Sequence, residues 1–195
     1  HKNSVINLTE FFCFNTFGTI FATIDPMKKI IIFLLVIITL GFDTQKEEAF
    51  AGGEFFKFRV HYGVLNAGYA TLEVKDETLS GQPVFHVVGK GFSTGMTKFF
   101  FEVEDVYESY IDKDTRNPYR YVRKINEGGY TKNQEGFFNQ RTNRILVKDY
   151  KHKTEKAFDF PKNAQDILSS FYYLRNYPNI NKMKTGDSVI IDMFF

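Results

Sequence analysis

The chain has 195 residues, a net charge of +2, 17% aromatic residues and no tryptophan. A near-neutral balance with both signs interleaved excludes the basic footprint of a nucleic-acid binder. The single cysteine, Cys13, excludes an internal disulfide framework and a thiolate metal cluster.

Residues 1–26 show neither helical nor strand periodicity and read as an upstream segment foreign to the domain. From Met27 the pattern changes to that of a bacterial secretory leader. Lys28 and Lys29 form a charged head, Ile30 to Leu40 an apolar stretch, and Ala49-Phe50-Ala51 places small residues at the two positions read by signal peptidase. A bilayer-spanning helix needs about 20 apolar residues, more than Ile30 to Phe42 supplies, so residues 27–51 are expected to be cleaved rather than to remain as a transmembrane anchor. Phe42 to Glu48 is long and charged for a cleavage region. No cysteine follows the apolar run, so an acylated-cysteine anchor is unavailable. The expected product is a single β-rich domain, residues 52–195, exported to the periplasm or outer envelope of a bacterium. In that span 21 Lys and Arg side chains stand against 18 Asp and Glu.

Period-two alternation then dominates. Phe56, Phe58, Val60 and Tyr62 share one face of a strand over Glu54 to Tyr62, with Lys57, Arg59 and His61 on the other. Ala70, Leu72 and Val74 alternate with Thr71, Glu73 and Lys75 in the same way, after turn residues Gly63 to Gly68. Ser80-Gly81-Gln82-Pro83 leads to a strand at Val84 to Val88, and the glycine-rich Gly89 to Gly95 reads as a loop. Further strands are expected at Lys98 to Glu104, Val106 to Asp112, Tyr119 to Asn126, Tyr130 to Asn139, Arg144 to Tyr150 and Glu155 to Phe160. One helix, about 164–176, is predicted with Asn163 as its cap, Asp166 at its third position and Tyr177-Pro178 at its end. Ile167, Leu168, Phe171, Tyr172 and Leu174 fall near its apolar face. A last strand, Ser188 to Phe195, stops in mid-pattern, as in a fragment whose C-terminal strands are missing. The predicted fold is mainly β: an antiparallel meander curling into a barrel or half-barrel with one packed helix.

Several short motifs recur in a specific order: Gly53-Glu54, Tyr62-Gly63, Ala67-Gly68 with Ala70, Gly81-Gln82-Pro83 with His86, Asp105 to Asp112, Pro118, Glu127-Gly128 with Tyr130, and Asp166 to Arg175. In this set the chain resembles the bacterial envelope family known as domain of unknown function 3108. The resemblance implies an exported, mostly β protein with no assigned activity and no catalytic residues to carry over.

A catalytic constellation is missing from the residue pattern. His61, His86 and His152 stand in no HExxH spacing and beside no GxSxG turn. Glu102, Glu104, Asp105, Glu108, Asp112 and Asp114 match no calcium loop and read as a solvated edge that discourages strand addition, with Asp105 and Asp112 equally suited to structural hydrogen bonds. Gly89 to Gly95 lacks the Gly-Lys-Ser/Thr ending of a phosphate loop. Arg141, Arg144, Lys148, Lys151, Lys153 and Lys156 form a basic run interrupted by Asp149 and Glu155, which reads as a solvated face. No cofactor or metal is expected. The sharper binding candidate is an apolar lining of His86, Phe99, Phe101, Phe137, Phe171 and Tyr172 for a lipid-like or hydrophobic small molecule. The expectation is therefore a non-catalytic envelope protein, with a hydrophobic-ligand carrier, an envelope hydrolase built on His86 and a structural assembly partner as alternatives.

Overall fold

The alternating pattern forms eight antiparallel strands that pair in chain order. They are β1 (Phe55–Tyr62), β2 (Leu65–Leu79), β3 (Gln82–Ser93), β4 (Glu104–Asp112), β5 (Pro118–Glu127), β6 (Tyr130–Asn139), β7 (Arg144–Asp149) and β8 (Thr154–Asp159). This computed structural model describes residues 48–195, with Asp25 and Met27 besides. The segment expected over residues 1–26 and the leader lie outside the described residues, save those two positions and the leader's last four. Two-residue turns set the β2–β3 and β5–β6 registers. Ser80 and Gly81 both have positive φ, as do Gly128 and Gly129, which is the backbone twist a tight antiparallel hairpin requires.

No pairing joins β1 to β8, so the sheet stays open and the barrel expected from the strand count does not close. Three further expectations change. Gly89 to Gly95 is not a loop, because β3 runs on to Ser93. The strand expected over Lys98 to Glu104 is instead a short helix, α1 (Gly95–Phe100), followed by a single bridge from Val103 to Glu127. Ser188 to Phe195 forms no strand either; it makes one isolated parallel bridge, Gln165 to Met193. Among the described residues no helix is long and apolar enough to cross a membrane.

Cross-strand partners share a face, and two rows of partners show what each face does. On one face Val74, Val87, Ser109, Tyr121, Gly136 and Val147 stand side by side across six strands. On the other stand Lys75, His86, Tyr110, Arg120, Phe137 and Leu146. The first face carries the core, in two clusters. Val74, Phe85, Val87 and Ile111 pack under Phe50, Leu168 and Tyr172. Tyr121, Phe138, Ile145 and Val147 pack under Phe160, Ala164 and Phe194.

The lid over the first cluster is α2 (Ile167–Arg175). Its cap is Asp166, not Asn163, whose φ of 63° departs from the extended backbone of an N-cap. The Asp166 carboxylate accepts the Leu168 and Ser169 N–H groups, each at 2.9 Å, and the Ser109 hydroxyl of β4 at 2.6 Å. Ser169 Oγ accepts the Asp166 N–H at 2.8 Å, which completes a capping box. One side chain thus starts the helix and fastens it to the sheet. Gly89 lies beneath: a Cβ there would stand 3.2 Å from Leu168 and Leu72, so a small residue lets the helix approach.

Phe50 fills the gap beside the helix. It is 4% exposed, with its ring 4.9 Å from Phe85 and 4.5 Å from Tyr172. Arg175 closes over it, bonding both Glu54 oxygens at 2.5 and 2.8 Å and the Ala49 carbonyl at 2.7 Å. Its guanidinium carbon lies 5.4 to 5.8 Å from the rings of Phe50, Phe56, Phe171 and Tyr172.

Removing a buried aromatic ring costs about 3–5 kcal/mol, whereas an exposed one changes stability by about 0.5 kcal/mol or less. Equilibrium urea unfolding is therefore expected to show a loss in the first range for Phe50→Ala and in the second for Phe55→Ala, which is largely exposed. Equal losses would show that Phe50 is not a core residue. Burial is the dominant influence on Asp166 and raises its carboxyl pKa to about 6, although the three donors oppose the rise. The folded chain then holds this proton more tightly than the unfolded chain. The resulting stabilisation, about 3 kcal/mol, is complete below about pH 4 and is lost as the pH rises through 6. Unfolding at a series of pH values is expected to show this decline in the wild type and not in Asp166→Asn; the same decline in both would assign it to another group.

Candidate functional site

The cover supplied by α2 ends at Gly89, and the sheet beyond it is bare. Gly68 and Ala70 of β2 and Gly91 of β3 occupy successive positions on the core face, so the floor there is low. A Cβ at Gly91 would meet nothing nearer than the Asp105 Cβ at 3.9 Å. Val60 of β1 stands on one side of this floor, and Thr97 of α1 with Val103 on the other, enclosing an open apolar groove of about 210 Å³.

Helix α1 is an excursion between β3 and β4 held at its base. Ser93 Oγ accepts the Val103 N–H at 2.9 Å, and the Thr94 N–H donates to the Ala67 carbonyl at 3.1 Å. Lys98 joins Glu102 at 3.0 Å and Glu104 at 3.1 Å, which raises its pKa through the bonds to both carboxylates. No residue of α1 is buried. Met96, Phe99 and Phe100 project into solvent, the two rings 85% and 76% exposed. Val64 and Leu65, at the β1–β2 turn, are exposed apolar residues as well.

The six residues expected to line one apolar interior are not brought together. Strand pleat puts His86 and Phe137 on the face opposite the core. Tyr172 is a core residue, and Phe171 lies on the half-exposed side of α2. Phe99 is turned outward because a helix replaces the expected strand, and Phe101 rests against the turn at Gly128, where a Cβ would collide with its ring. The floor of the groove is built instead from small residues whose signal was available: Gly68 and Ala70 alternate in period two on β2, and Gly91 stands opposite Ala70 on β3.

His86 belongs to a charged ladder on the outer face. Its Nδ1 lies 2.8 Å from Glu77 and its Nε2 2.9 Å from Glu108, and its ring stacks on Tyr110 at 4.2 Å. Arg120 continues the row, over the Tyr110 and Phe137 rings at 5.2 and 5.6 Å and bonded to Glu135 at 2.9 Å. Lys148 pairs with Glu155 at 2.9 Å, and Arg144 with Asp159 at 3.2 Å, so the basic run is partly neutralised by its neighbours. A histidine, a carboxylate and a hydroxyl do converge here. Both ring nitrogens face carboxylate oxygens, however, and so are engaged within the sheet. The Tyr110 hydroxyl donates to Glu108 at 3.2 Å, and burial followed by that carboxylate pushes its pKa up to about 12. The arrangement binds β2, β3 and β4 together.

The other acidic residues are also structural. Asp112 accepts from the Thr115 N–H and hydroxyl at 2.6 and 2.7 Å and from the Tyr119 hydroxyl at 2.7 Å. Burial opposes ionisation of Asp112, but these donors hold its pKa below the usual carboxylate value. Asp105 is buried and accepts the Asn126 N–H at 3.0 Å. A hydrogen bond to Asp105, then its charge, raises the pKa of Glu127. Among the described residues no group of three or more His, Cys, Asp or Glu side chains is placed to hold a metal ion.

The sequence matches the family described as protein of unknown function (DUF3108) over residues 57–195. Comparison with curated proteins gives no match, and comparison with solved structures gives none. The matched span takes in every residue that lines the groove, α2 with its Asp166 cap and the charged ladder, and the chain belongs to the DUF3108 family.

Proposed function

We propose that the protein is an exported, non-catalytic component of the bacterial envelope that holds a lipid-like chain in the groove between β1, β3 and α1. The observation that carries this reading is an apolar groove floored by Gly68, Ala70 and Gly91 and left uncovered beside a helix whose aromatic residues face solvent. A soluble monomer seldom exposes contiguous apolar surface without a binding role for it. At about 210 Å³ the groove is smaller than the roughly 300–1,000 Å³ of sites that take drug-sized ligands. Its occupant is accordingly a single alkyl chain, with the remainder of the amphiphile outside. Export is supported by the charged head and apolar run that begin at Met27.

The hydrolase alternative has less behind it. His86 is engaged on both nitrogens, and its hydroxyl neighbour is held protonated. Of the aromatic side chains expected to share one lining, only Phe171 and Tyr172 touch, at 5.2 Å between ring centres, and the binding reading rests on the groove alone.

Protein purified from the bacterial periplasm is expected to carry a lipid detectable by mass spectrometry of its organic extract, and to bind a fluorescent fatty acid. Gly91→Leu places a side chain into the groove without touching the core. It is expected to weaken fatty-acid binding by about tenfold or more, equivalent to about 1.4 kcal/mol, with an unchanged thermal midpoint. Undiminished binding by a folded Gly91→Leu protein would remove the groove from the account.

A further inference from the structure

Glu48 to Ala51, where the leader was expected to end, are part of the folded domain. The Phe50 ring is in the core between Phe85 and Tyr172. The Ala49 N–H donates to Asn176 Oδ1 at 3.0 Å, and its carbonyl accepts from Arg175 at 2.7 Å. Glu48 pairs with Nη2 of Arg116, a mostly buried guanidinium whose Nε and Nη1 have no hydrogen-bond partner among the described residues. Arg116 also lies over the Phe85 ring at 5.1 Å. Three consecutive residues, Glu48 to Phe50, are thus held by the end of α2, the β4–β5 loop and the sheet. Cleavage after Ala51 would remove the ring that fills the first core cluster and the carboxylate that neutralises Arg116. It would also leave Arg175 without one of its acceptors.

We infer that leader peptidase cuts the chain upstream of this strap, at the Gly41–Phe42 bond, so that the exported protein begins at Phe42 and keeps Phe50. This inference rests on the export reading above. Thr39-Leu40-Gly41 has small residues at both positions the peptidase reads and follows the apolar run directly. Ala49-Phe50-Ala51 lies beyond the charged stretch Asp43 to Glu48. Counted from Met27, the leader has a two-lysine head, an apolar segment Ile30 to Ile38 within the usual span of about 7–15 residues, and a total length at the lower end of the usual 15–30 or so. The charged stretch is then not a cleavage region. It is the start of the exported chain, leading into the strap. Water adds across the Gly41–Phe42 amide, leaving the carboxylate on the leader and the new α-ammonium on Phe42.

The test is N-terminal sequencing and intact mass of the full chain expressed with its own leader and recovered from the periplasm of a bacterial host. The expected terminus reads Phe-Asp-Thr-Gln-Lys. Gly41→Gln is expected to abolish that terminus and Ala51→Gln to leave it in place. An exported protein beginning at Gly52, or at any residue other than Phe42, overturns the inference and leaves the export reading standing. Retention of the uncut chain in the cytoplasm overturns both.

Discussion

An open sheet of eight strands has one face that must be hidden and, among the described residues, a single nine-residue helix to hide it. That shortage of cover governs the rest of the structure. The helix protects the middle of β2, β3 and β4. Phe160 and Ala164 after β8, with Phe194 near the described C-terminal end, protect β5 to β7. Phe50 is recruited from before the first strand to fill what the helix leaves. Burial of apolar area is roughly additive at about 25 cal/mol per Å², so each of these pieces contributes in proportion to the ring or side chain it inserts. Where no piece reaches, over the far ends of β1, β2 and β3, the face is bare, and its β2 and β3 residues Gly68, Ala70 and Gly91 are small.

The helix is placed by polar contacts rather than by apolar area alone. Asp166 at its start and Arg175 at its end are each bonded to elements distant in sequence, the first to β4 and the second to Glu54 and the N-terminal strap. A buried carboxylate is tolerated because three donors surround it. The Arg175 guanidinium is held by a two-pronged ion pair and surrounded by four rings, an environment suited to a planar, weakly hydrated cation. With both ends fastened, the helix stops at Gly89, and that stopping point decides where the groove begins. The outer face uses a different device. Alternating His86, Tyr110, Arg120, Phe137 and Lys148 with glutamates between them join neighbouring strands and keep the face charged, which suits a sheet whose two edges are unpaired among the described residues.

This division of labour bears on function. Residues that looked chemically suggestive, the histidine and the acidic stretch, are consumed by strand-to-strand and turn hydrogen bonds. What remains uncommitted is apolar: the groove, the outward rings of α1 and the β1–β2 turn. The proposed handling of a greasy chain would use features of the molecule that its own stability does not require.

Much of the fold was legible from residue order. Period-two alternation located most strands, with the β6 bounds Tyr130 to Asn139 recovered in full. Glycine-containing turns located the hairpins, and the run from Ile167 to Leu174 located the helix. The errors fell where local pattern competes with tertiary context. Gly89 to Gly95 reads as a loop by composition, yet its neighbours in β2 and β4 supply hydrogen bonds that draw most of it into a strand. Lys98 to Glu104 alternates, yet without a full set of partners its first half coils into a helix. The candidate site was less legible, because whether His86 and Phe137 can meet Tyr172 depends on which face of the pleat those two occupy and which face α2 covers.

By itself, the sequence determined a cysteine-poor, aromatic-rich chain of short antiparallel strands with one helix, because alternation, turn residues and caps act over a few neighbouring positions. Only the tertiary structure decided that the sheet stays open, that Phe50 belongs to the core and that small residues on β2 and β3 form a groove. Those outcomes depend on contacts between residues far apart in the chain, and on the finite reach of the helix that covers the sheet.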